Sequence, residues 1–86
     1  MMTKKKIQAL IDNLTEDQTF YRKKISYIIE NAESLGYIVH KCDDIVLLYK
    51  PGYEQFVGGP MQTSLDHARG KIDGLQLAIN YLKKEL

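Results

Sequence analysis

The chain has one cysteine, Cys42, which excludes an internal disulfide and fits a reducing compartment. It has two prolines, both between residues 51 and 60, and no low-complexity run. No apolar stretch approaches the length needed to span a bilayer. The basic start "MMTKKKIQALIDNL" lacks the continuous apolar core of a signal peptide. Cytoplasm is therefore the expected location. A strong charge of either sign is also missing. The formal net charge of +1 argues against a dedicated electrostatic nucleic-acid binder, which carries a clear basic excess.

What remains is globular in composition, 44% hydrophobic and 27% charged across 86 residues. That length predicts one domain, 1–86, with a modest core, to which a partner or a second copy would add much stability. The charge is unevenly spread: residues 1–24 hold six basic and three acidic side chains, and residues 25–86 hold six and eight.

Ile7, Leu10, Ile11 and Leu14 share one helical face. The run Thr15-Glu16-Asp17-Gln18 then matches a capping box, which predicts a new helix from Thr15. A second reading competes with it. Ile7, Ile11, Leu14, Gln18, Tyr21, Ile25, Ile28, Ala32 and Leu35 form one 4-3 spacing with Gln18 as its one polar member. Residues 4–35 then make a single helix of about 48 Å. Its stripe would outrun a 65–86 helix of about 33 Å, and the excess would call for a homodimer. Gly36 supplies the left-handed stop in either case.

"YIVHKC" and "IVLLYK" are rich in β-branched and aromatic residues and flank Asp43-Asp44, which predicts a hairpin. Its register pairs Cys42 with Ile45, His40 with Leu47 and Ile38 with Tyr49. The face with Ile38, His40, Cys42, Ile45, Leu47 and Tyr49 carries no lysine and is assigned inward. Lys50-Pro51-Gly52-Tyr53 reads as a type II turn into a third strand, "YEQFVG". Thr63 or Ser64 is the expected cap of the last helix. In that helix Leu65, Ala68, Ile72, Leu75, Ile79, Leu82 and Leu86 repeat at 3-4 spacing. Gly70 and Gly74 each cost it about 1 kcal/mol relative to Ala. The expected fold is α+β: one or two N-terminal helices (1–36), a three-stranded antiparallel meander (37–59) and a C-terminal amphipathic helix (63–86).

Signals for chemistry are weak. Gly70-Lys71 lacks the preceding glycine and following hydroxyl of a phosphate loop, and it sits in a helical seam. The start of the last helix offers only what any helix N-terminus offers an anion. His40 and Cys42 share a strand face near Asp44, but a closed zinc site wants four ligands, and His67 is on the last helix. A Cys–His nucleophile needs a contact that the spacing does not supply. Asp66, His67 and Asp73 fall outside the last helix's apolar seam. Catalytic, metal and cofactor residues are therefore expected to be none, and an enzyme is not expected.

The leading expectation is a small non-catalytic protein-interaction module, a regulator or inhibitor of the kind found among accessory proteins of mobile elements. Its candidate partner surface is the second sheet face, Tyr37, Val39, Val46 and Leu48 rimmed by Lys41 and Lys50, with Tyr53 and Phe56 at the edge; the competing reading covers both faces within the monomer, the second helix on one side and the last on the other. The alternative is a nucleic-acid-binding accessory protein. Lys4, Lys5, Lys6, Arg22, Lys23 and Lys24 would then contact phosphates. Three strands followed by a helix, over residues 37–85, is similar in outline to the small domains with which some integrases grip DNA, a likeness of element order alone.

Overall fold

The computed structural model describes residues 3–42, 45–52 and 59–86. Two long helices run antiparallel, and a β-hairpin lies across one end of the pair. Helix α1 spans Lys4–Ser34 without a break, and helix α2 spans Gly59–Lys83. Strands β1 (Ile38–Cys42) and β2 (Ile45–Tyr49) form a two-stranded antiparallel sheet. The molecule is a rod of 57 × 19 × 18 Å.

The N-terminus of α1 is capped by Thr3, whose hydroxyl accepts from the Lys6 N–H at 3.2 Å. The cap expected at Thr15 does not form. Thr15 instead donates to the carbonyl of Ile11 at 2.8 Å, a bond made from inside a helix. The seam decides the matter. Ile7, Ile11, Gln18, Ile28 and Ala32 are all buried, so a break would sacrifice a stripe that packs along its length. Leu35 departs from the expected stripe. It is the C-cap residue and is 57% exposed.

The stop at Gly36 forms as expected. Gly36 has φ +88°, its N–H donates to Glu33, and the Tyr37 N–H reaches back to Ala32 at 2.9 Å. This is the paired bonding of a Schellman motif, and it delivers Tyr37 onto Ala32 and the hairpin core. The hairpin register is also as expected: Ile38 pairs with Tyr49, His40 with Leu47 and Cys42 with Ile45. Gly52 has φ +88°, the positive value the third position of a type II turn requires. The third strand expected over 53–58, with candidates Tyr53 and Phe56, lies outside the described residues. Helix α2 starts at Gly59, upstream of the expected cap. Thr63 is already inside it and bonds back to the Gly59 carbonyl at 3.3 Å.

The core has two clusters. At the hairpin end Ile28, Ala32, Leu48 and Leu65 are buried, with Tyr37, Val39, Val46 and Met61 packed around them. At the far end Ile7 and Ile11 pack on Ile79, flanked by Leu14 and Leu82. Between the clusters sits Gln18, 3% exposed. Its amide donates to the Ile72 carbonyl at 3.2 Å and to Gln76 Oε1 at 3.0 Å. Gln76 donates in turn to Asn80. A buried amide is tolerated because its donors are used.

The expected need for a second chain along the α1 stripe disappears. The hairpin covers the C-terminal end of α1 at Ile28 and Ala32, and α2 reaches Ile7 and Ile11. Among the described residues no helix is long and apolar enough to cross a membrane.

Candidate interaction surface

The hairpin is turned over relative to the sequence expectation. Leu48 is fully buried, and Val39, Val46 and Tyr37 pack against the same cluster. The face expected to meet a partner is therefore the core face. The face assigned inward is the outer one. Ile38 is 44% and Ile45 52% exposed, His40 and Cys42 are exposed, and Leu47 and Tyr49 are partly buried. Lysines marked the wrong face because Lys41 and Lys50 sit at the hairpin's ends. There a long side chain on the inner face still reaches water, and both are exposed.

Gln62 is what holds this orientation. It is 7% exposed on α2, where its Oε1 accepts from the Leu48 N–H at 2.7 Å and its Nε2 donates to the Val46 carbonyl at 2.9 Å. A second Nε2 bond goes to Asp66 at 2.9 Å. The side-chain amide thus acts as one residue of a neighbouring strand and occupies that edge of β2. The signal for it was present in the sequence. Gln62 stands three residues before Leu65, in line with the seam, and that spacing is the signal for its burial.

The same bonds define the opposite edge. The Leu48 N–H and Val46 carbonyl point away from β1, so Val39–Leu48 and Lys41–Val46 are the non-hydrogen-bonded pairs of the ladder. The N–H and C=O groups of Val39 and Lys41 then point away from β2. Among the described residues no backbone group pairs with them. Among the described residues, the outer surface of the hairpin therefore combines six side chains that include no lysine or acid with a strand edge that no backbone group pairs. His40 and Tyr49 lie diagonally on it, with ring centroids 6.4 Å apart. Cys42 is a free thiol on the same face.

The basic candidates do not make one surface. Lys4, Lys5, Lys6, Arg22, Lys23 and Lys24 are all exposed on α1. Consecutive helical residues lie 100° apart, so each triplet fans around the helix, and the triplets are separated by about 27 Å along it. Gly70-Lys71 lies inside α2, as expected. Among the described residues no group of three or more His, Cys, Asp or Glu could hold a metal ion. An open cleft of ≈330 Å³ lies where α1, α2 and β2 meet, lined by Ile25, Val46, Arg69, Ile72 and Asp73. Its lining sets apolar Ile25, Val46 and Ile72 beside Arg69 and Asp73.

No protein-family model matches the chain, and neither a curated protein nor a solved structure matches it.

Proposed function

We propose that this protein is a small non-catalytic interaction module, a regulator or inhibitor that binds a protein partner through the outer face of its hairpin. One observation carries this reading: a sheet face with no lysine or acid among its six residues leaves Ile38 and Ile45 about half exposed to water. Soluble domains keep such apolar patches small unless a partner covers them. The adjoining β1 edge supplies main-chain donors and acceptors, so a partner strand could add to the sheet while its side chains meet Ile38 and Ile45.

The test compares the wild type with Ile45→Glu as baits in lysate of the source organism, with and without nuclease. Ile45 is already half exposed, so the variant keeps the fold. A protein captured by the wild type after nuclease and lost from Ile45→Glu is the expected result. A partner retained by the variant would refute the surface. A partner set that vanishes with nuclease would transfer the function to nucleic acid.

A further inference from the structure

Helix α2 carries a second seam, on the side away from α1. Thr63, His67, Gly70, Gly74, Leu77 and Tyr81 follow a 4-3-4-3-4 spacing, the 3.5-residue period of a helix that meets another helix. All six are exposed, Leu77 at 72% and Tyr81 at 68%. A Cβ placed on Gly70 or Gly74 would meet nothing within 4 Å. The two glycines therefore weaken the helix with no benefit inside the chain. The benefit of smooth helix surface lies in close approach from outside.

We propose that the occupant of this seam is a second copy of the chain, with the two α2 helices parallel across a two-fold axis. Charge selects the copy and its direction. Asp66 and Asp73 flank the seam on one side, and Lys71 flanks it on the other. In a parallel pair each flank meets the opposite flank of the other helix five residues on. Asp66 then faces Lys71 of the partner subunit, and the symmetry makes this contact twice. In an antiparallel pair like flanks meet, and Asp66 and Asp73 face their own kind.

Surface area supports the pairing. The chain exposes 6367 Å², about 1,200 Å² more than the roughly 5,200 Å² expected of a monomeric protein of 9.9 kDa. A stable interface of ordinary size removes about 800 Å² from each partner. The rod therefore has enough surplus surface for one such contact.

Sedimentation equilibrium on the full chain tests this. The wild type is expected to be a dimer at micromolar concentration. Leu77→Asp is expected to weaken the dimer at least about tenfold with an unchanged helical spectrum, because Leu77 touches no core. Lys71→Asp is expected to weaken it as well, because it sets an acid against Asp66 of the partner subunit. Gly74→Ala is expected to loosen the dimer while raising the melting temperature measured at concentrations where both proteins are monomeric, a pair of opposite signs that general destabilisation cannot produce. A monomeric wild type, or a dimer indifferent to Leu77→Asp, would overturn the proposal. A dimer unchanged or strengthened by Lys71→Asp would overturn the parallel arrangement. Ile45→Glu is expected to leave the dimer intact, so the sheet-face proposal and this one stand or fall separately.

Discussion

The two faces of the hairpin are nearly equal in apolar content, yet one is core and the other is surface. The inner face has Val39, Val46 and the fully buried Leu48. The outer face has Ile38, Ile45 and Leu47. Hydrophobicity cannot choose between them, because each would bury well. The choice is made by Gln62, which reaches β2's edge from 14 and 16 residues away, together with the local Gly36 turn that aims Tyr37 onto Ala32. Apolar side chains set how much a fold gains by burial, and here one amide and one turn set which ones are buried.

The largest expected effect comes from treating the two faces alike. Leu48→Ala removes a side chain with 0% exposure and should cost about 2–5 kcal/mol in denaturant unfolding. Ile45→Ala, at a half-exposed position on the opposite face, should cost well under about 1 kcal/mol. Equal losses would erase the distinction between the faces.

The next effect separates two buried glutamines. Gln62→Leu leaves the Leu48 N–H and Val46 carbonyl without partners, at about 1–3 kcal/mol for each buried group. Gln18 differs, since its acceptors are a helix carbonyl and the amide oxygen of Gln76, which is only partly buried. Gln18→Leu with Gln76→Leu should be neutral or stabilising, and should loosen the register between α1 and α2. Thermal unfolding of both variants reads the contrast, and a neutral Gln62→Leu would remove the clamp from the account.

A smaller effect contrasts two glycines. Gly36→Ala forces a side chain into φ +88° and should destabilise by about 1 kcal/mol. Gly74→Ala has ordinary helical backbone and open space, and should stabilise the fold by a similar amount, about 1 kcal/mol. Melting temperatures moving in the same direction would contradict this.

Local chemistry was legible in the sequence. The Gly36 stop, the hairpin register and the α2 seam follow from spacing and turn residues that act within a few positions. What was not legible depends on residues far apart. Thr15 to Gln18 resembles a helix start, and the partners that keep Gln18 inside one continuous helix are 54 and 58 residues away. Thr63 and Ser64 can each cap, which predicts a helix start there, whereas α2 begins at Gly59 and Thr63 bonds back within it. The lysine-free face predicts the inward side, but Lys41 and Lys50 each sit at a rim, where a lysine on the core face still reaches water. The candidate surface inherited that inversion, so Ile38, His40, Cys42, Ile45, Leu47 and Tyr49 replace the Leu48 face.

The most direct measurement is thiol reactivity in the native protein, with Ile45→Cys and Leu48→Cys each made in a Cys42→Ser background. If the Leu48 face is core, the Ile45→Cys thiol alkylates at near the unfolded rate, and the Leu48→Cys thiol reacts at least about a hundredfold more slowly until denaturant opens the hairpin end. Rapid alkylation at position 48 with protection at position 45 would contradict the account and return the hairpin to the opposite orientation.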